Sequence, residues 1–246
     1  TSLLAKLLWI KKHKPEIFSK TDCLLPGASD YVVFRMTGEK ATDTTTASTT
    51  GLMELLKRKW IDDALFNKMG LQGVQTLLPK LFDGGAKIGE LQKKAATDLG
   101  IPAGLPVFLG PGDAGSATIG AGCGVPGKAY AYIGTSGWVA FSEKQPADPT
   151  TGVITLSHPK CDHFIQVAPL LTAGGNLEWA KSLSNFESYD SLINDAISSP
   201  LSNLIFLPYL KGERSPFIDP KARGAFIGLQ STTGQSAMNR AVLEGI

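Results

Sequence analysis

The sequence predicts an α/β protein of two domains. Short β-rich runs alternate with helical stripes along the chain. Beyond the turn Ile101-Pro-Ala-Gly-Leu-Pro106, residues 107–141 become rich in glycine, alanine and β-formers. A glycine-dense segment, Gly122-Cys-Gly-Val-Pro-Gly127, then reads as a boundary. The expected domains are residues 1–124 and 125–246, and 246 residues suffice for either one large core or two smaller ones.

The elements follow in order. Leu3, Leu4, Leu7 and Leu8 form an apolar helical stripe over residues 3–12. Ser29 reads as the N-cap of a helix through Asp30-Tyr-Val-Val-Phe-Arg-Met-Thr37, stopped by Gly38. The threonine-rich segment 42–50 is short, polar and β-branched, and reads as an ordered loop rather than a disordered linker because apolar segments flank it closely. Residues 61–69 and 89–99 read as surface helices, the second ended by Gly100. Small residues in 113–121 suit a tightly packed helix. Lys128–Ile133 and Trp138–Phe141 suit two strands joined by the four-residue hairpin loop Gly134-Thr-Ser-Gly137. Next come a strand at 164–169, a glycine-opened helix at 172–181, a helix at 188–197 and a buried-type strand at 203–207. Residues 240–246 stop inside a helical pattern and the chain begins at Thr1, so both ends read as cut from a longer protein.

Bulk properties exclude several classes. With 43% hydrophobic and 19% charged residues the chain is an ordinary globular one, not a disordered one. A net charge of +2 supplies no long-range field for nucleic acid or a membrane surface. Lys11-Lys12-His13-Lys14 is read as the wet end of a helix. Cys23, Cys123 and Cys161 make no disulfide framework, which points to a reducing, cytoplasmic setting. No apolar run reaches membrane-span length and no signal peptide opens the chain.

Chemistry concentrates in two glycine-rich loops. Pro106-Val-Phe-Leu-Gly110-Pro-Gly112-Asp113-Ala-Gly115 offers a carboxyl beside backbone that can approach a ligand, because glycine lacks Cβ. Ile133-Gly134-Thr135-Ser136-Gly137 offers amides and hydroxyls suited to phosphate oxygens. A base and a phosphate cradle are the parts required to move a phosphoryl group onto an alcohol. Gly110-x-Gly112-x-x-Gly115 also matches a dinucleotide fingerprint, but no acidic residue closes the following strand, and Asp113 would repel the pyrophosphate. Gly134–Gly137 lacks the serine-hydrolase spacing. Ala173-Gly174-Gly175-Asn176 opens a helix whose free amides would attract an anion; glycine chosen for close packing is the equal alternative. His158, Cys161 and His163 fit a polar hairpin end better than a metal site, since their spacing matches no structural zinc pattern. Glu213, Arg214, Asp219 and Arg223 read as an ion network fixing a long loop.

These motifs, together with Ala173-Gly-Gly-Asn-Leu-Glu-Trp179, Leu207-Pro-Tyr-Leu-Lys-Gly-Glu-Arg-Ser-Pro216 and Asp219-Pro-Lys-Ala-Arg-Gly224, resemble the FGGY family of carbohydrate kinases over essentially the whole chain. Asp30–Glu39, Thr42-Asp43 and Ala47-Ser48 resemble the family's N-domain. Within the family, the xylulokinases are most similar and the gluconate kinases next. The resemblance implies an actin-like, ribonuclease-H-like fold with two domains around a cleft, a sugar, polyol or sugar-acid substrate, and ATP with Mg²⁺. It implies Asp113 as general base, with Gly112 and Asp113 toward the sugar. Gly134, Thr135 and Ser136 would hold the β and γ phosphates, and Gly174, Gly175 and Asn176 would lie against the nucleotide. A homodimer stays open; nucleic acid and membrane are not expected partners. Full members are longer. The N-terminal phosphate loop, the first sugar-contacting segments and the adenine-binding glycine motif have no counterpart here, so the chain resembles the middle of such an enzyme.

Overall fold

The computed structural model describes residues 3–160 and 162–246. They form two compact units: Thr1–Lys128 with Phe141–Gln145 and Leu156–Ile165, and Ala129–Ala140 with Pro146–Thr155 and Gln166–Ile246.

In the first unit, α1 (Leu3–His13) buries Leu7 in a cluster with Leu52, Ile61, Phe66, Leu71 and Val74. Leu3 and Leu4 pack at its edge, while Leu8 turns outward. The basic end of α1 is a wet face, as expected: Lys11 Nζ donates to Gly70 O at 2.6 Å and to Gln72 Oε1 at 3.2 Å. After α2 (Pro15–Ser19), α3 spans Ala28–Thr37. Its cap position is Gly27, not Ser29. The carboxyl of Asp30 reaches back to accept the Gly27 N–H at 2.8 Å, so the acid in the first turn secures the helix start. Gly38, at φ +81°, ends α3 as predicted.

The expected loop at 42–50 is instead strand β1 (Ala41–Asp43) followed by α4 (Thr44–Ser48). Threonine disfavours helix, but the Asp43 side chain accepts the N–H groups of Thr45 at 2.8 Å and Thr46 at 3.0 Å, and this cap nucleates the turn. A short antiparallel pair follows, β2 (Met53–Glu54) and β3 (Lys59–Trp60), then α5 (Asp63–Lys68), capped by Asp62. Strand β4 (Lys80–Phe82) pairs in parallel with β1, setting Asp43 opposite Phe82. The predicted helix over 89–99 is only α6 (Lys93–Leu99). The residues before it form β5 (Lys87–Glu90), because they pair antiparallel with β6 (Pro106–Phe108). Val33, Ala41, Leu91, Ala96, Val107 and Leu109 make the second core of this unit, beneath the segment entering α7 (Gly112–Gly120).

Strands β7 (Ala129–Ile133) and β8 (Gly137–Glu143) are joined by three residues, not four, because Gly137 already belongs to β8. With β9 (Ile154–Ser157) and β10 (Phe164–Leu170) they form a sheet in the order β7-β8-β10-β9. Then come α8 (Gly174–Ser182), α9 (Tyr189–Ser198), the antiparallel pair β11 (Ile205–Leu207) and β12 (Ala225–Ile227), and α10 (Gln235–Gly245). Ala180, Leu204, Phe206, Ala241 and Val242 form the core of the second unit, with Trp179 stacked on Phe206 at 5.7 Å. Among the described residues no helix is long and apolar enough to cross a membrane.

Candidate active site

In the first unit, β6 delivers the chain through buried Leu109 to Gly110, Pro111 and Gly112. Gly112 takes φ +62°, a left-handed value that turns the backbone into α7. Asp113 therefore stands exposed on the first turn of α7, with Oδ1 accepting the Ala114 N–H at 2.7 Å. Packing fixes this turn from behind. A Cβ on Gly115 would lie 2.8 Å from Pro111 Cβ, and one on Gly84 would lie 2.7 Å from the same atom. A cleft of about 490 Å³ opens beside the turn, lined by Ser29, Thr46, Gly110, Gly112, Asp113 and Ser116 among others. Hydroxyls thus flank an exposed carboxyl, a set of donors and acceptors suited to a polyhydroxylated ligand.

The dinucleotide reading fails on topology. A Rossmann site needs a strand, helix and strand in one parallel sheet. Here β6 pairs antiparallel with β5, while β7 belongs to a different sheet.

In the second unit, the hairpin loop lies on the start of α8. Gly134 O accepts the Gly174 N–H at 2.8 Å, and Thr135 O accepts those of Ala173 at 3.0 Å and Gly175 at 2.9 Å. The amides expected to be free for an anion are therefore bonded to the loop. Of the two readings of Gly174 and Gly175, close packing is what the geometry displays: their Cβ atoms would lie 2.6 Å from Gly134 O and 3.0 Å from Thr135 O. The loop is held by its carbonyls, leaving the Thr135 and Ser136 side chains exposed. Asn176 is buried and donates to Thr172 O at 3.0 Å, so its side chain turns inward.

The turn between β9 and β10 is a polar hairpin end, in which His158 Nδ1 accepts the Lys160 N–H at 2.9 Å and His163 Nδ1 meets Asp162 Oδ1 at 2.6 Å. Cys161 lies outside the described residues. Burial, then the neighbouring His163, holds the His158 imidazole below the usual histidine range. The 211–224 loop is not laced by ion pairs among the described residues. Buried Glu213 instead accepts the N–H groups of Leu171 at 3.1 Å and Arg214 at 2.8 Å, and Asp219 accepts that of Lys221 at 2.7 Å.

Sequence reasoning missed Thr46 and the structural part of Asp43. An aspartate three residues before a threonine amide is a capping signal, but nothing local shows that its helix lies beside Gly112.

This glycine-turned carboxyl on one unit and hydroxyl-tipped hairpin on the other belong to a known class. Residues 2–120 match the N-terminal domain of the FGGY family of carbohydrate kinases and residues 129–246 its C-terminal domain, and the chain belongs to that family. It is 34% identical over 248 residues to the xylulose kinase of Bacillus subtilis, covering 99% of this chain and 49% of that protein. The gluconokinase of the same organism is 28% identical over 257 residues, with the same 99% and 49% coverage. A ligand-bound xylulose kinase structure from Lactobacillus acidophilus superposes with a TM-score of 0.87 at 33% identity, covering 99% of this chain and 50% of that one. The chain thus spans about half the length of the relatives it matches.

Proposed function

We propose that this protein transfers the γ-phosphoryl group of ATP to a sugar hydroxyl, with D-xylulose the preferred substrate and gluconate or another sugar acid or polyol the alternative. One observation carries the reading: Asp113 is an exposed carboxyl held on a packed, glycine-turned helix start beside a hydroxyl-lined cleft. Its carboxyl takes the proton of the attacking hydroxyl, and its fixed position lowers the entropic cost of reaction. Gly112 brings backbone close to the sugar. Gly134, Thr135 and Ser136 hold the β and γ phosphates, a role supported by the exposed hydroxyls of a loop bounded by glycines. Gly174 and Gly175 serve by letting that loop seat on α8. Mg-ATP supplies the phosphoryl group. A cytoplasmic setting belongs to the same proposal.

The preference for xylulose over gluconate rests on identity, 34% against 28% for two kinases of one organism. The test is a coupled ADP-release assay of the full-length protein with D-xylulose, D-ribulose, L-ribulose, gluconate, glycerol and erythritol. Strong release with one compound names the substrate. Silence across the panel with ATP still bound refutes the xylulose assignment and favours a non-catalytic nucleotide-binding role.

A further inference from the structure

The surface caps of this fold stand open to solvent. Asp62 accepts the Leu65 N–H at 2.9 Å and Ser188 that of Ser191 at 3.1 Å, both at exposed positions. Asp43 is different. It is 0% exposed, and its Oδ1 alone accepts both amides of the α4 cap. Its Oδ2 is buried and, among the described residues, has no hydrogen-bond partner. Asparagine or serine would cap α4 equally well. A buried carboxyl oxygen left unpaired is costly, so capping alone does not account for an aspartate here.

What Oδ2 adjoins is the turn that presents Asp113. A Cβ built on Gly112 would lie 3.8 Å from Asp43 Oδ2 and 2.5 Å from Thr46 Oγ1. The cap and first turn of α4 are therefore the floor on which Gly112 rests, and the amides of that floor are tied to Asp43. A general base must lie within hydrogen-bond reach of its proton, and misplacement by about 1 Å costs on the order of 10²-fold in rate. We propose that Asp43 is the positioning residue for Asp113, its buried Oδ2 and the α4 cap held by Oδ1 together setting where the Gly112–Asp113 turn stands. This rests on the reading of Asp113 as the base.

The test compares Asp43→Asn, Asp113→Asn and the double variant in the full-length protein, with kcat counted per titrated nucleotide-binding site and with D-xylulose as first substrate. Asp43→Asn keeps an acceptor for the α4 cap but sets an amide NH2, with two donors to satisfy, where Oδ2 adjoins the Gly112 turn; its kcat falls about 10- to 100-fold while the KM for Mg-ATP holds. In the Asp113→Asn background the same change costs nothing further, because a residue acting through the base has nothing left to position. Wild-type kcat in Asp43→Asn, or losses that multiply in the double variant, would overturn the positioning role and leave the base standing. Wild-type kcat in Asp113→Asn would overturn the base itself. If Asp43→Asn does not fold, Asp43→Ser decides, since serine keeps a cap acceptor and removes Oδ2; a lowered kcat per site supports the positioning role and wild-type kcat overturns it.

Discussion

Replacing Gly174 by alanine tests the seating of the hairpin loop most directly. The new methyl carbon would stand 2.6 Å from Gly134 O. An ordinary contact between such atoms is about 3.4 Å or more, so the loop must retreat by the better part of an ångström. That retreat also lengthens the 2.8 Å bond from the Gly174 N–H to the same oxygen, because methyl and amide belong to one residue. Overpacking of this kind costs about 1–3 kcal/mol, and a weakened hydrogen bond adds about 0.5–1.5 kcal/mol. The expected loss is about 3 kcal/mol, or a fall in Tm of roughly 6–12 °C for a domain of this size. Calorimetry reads the stability, and a nucleotide titration reads the loop; ATP affinity is expected to drop at least tenfold. Gly120→Ala is the matched control. Nothing lies within 4 Å of its Cβ position at the end of α7, so alanine there is expected to gain about 0.5–1 kcal/mol. An unchanged Tm in Gly174→Ala would refute the packing argument. A lowered Tm with unchanged ATP affinity would keep the packing and refute the phosphate role of the loop.

Other outcomes follow from the same geometry. Asp113→Asn is expected to lower kcat by orders of magnitude with little change in Tm, since the side chain is exposed; steady-state kinetics and a thermal scan check both halves. Glu213→Ala strips the acceptor from the Leu171 and Arg214 amides and is expected to cost about 2 kcal/mol in denaturant unfolding, while Glu213→Gln recovers most of it. The depressed imidazole of His158 sets a pH slope. Its folded pKa lies below the unfolded value of 6.5, so its contribution is complete above that pH and is lost as pH falls through the folded pKa. Tm is expected to decline on acidification below about pH 6.5, with His163, Arg58 and Asp162 the charged or titratable neighbours. His158→Asn, which keeps an acceptor for the Lys160 N–H, is expected to flatten that decline; an equally steep profile in the variant would refute the assignment.

Where structure followed sequence, the determining atoms lie within a few residues of one another. Gly38 and Gly100 end helices because each supplies the left-handed residue the last turn requires. The Gly112–Asp113 turn and the hydroxyls of Thr135 and Ser136 were legible for the same reason: glycine, carboxyl and hydroxyl adjoin along the chain. Pairing between distant segments was not legible. Lys87–Glu90 is a strand only because Pro106–Phe108 lies beside it, and the start of α8 is covered because a loop some forty residues earlier is bonded to it. Asp43 shows both limits, since its cap is a local signal whereas its burial and closeness to Gly112 arise from β1 pairing with β4 and α4 packing on α7. The amino-acid sequence by itself determined the chemistry available at each loop and where the chain could turn, through short-range sterics and hydrogen bonds. Only the tertiary structure decided which amides were already taken and which buried oxygen adjoined the Gly112–Asp113 turn, because those depend on contacts that form when remote segments share one core.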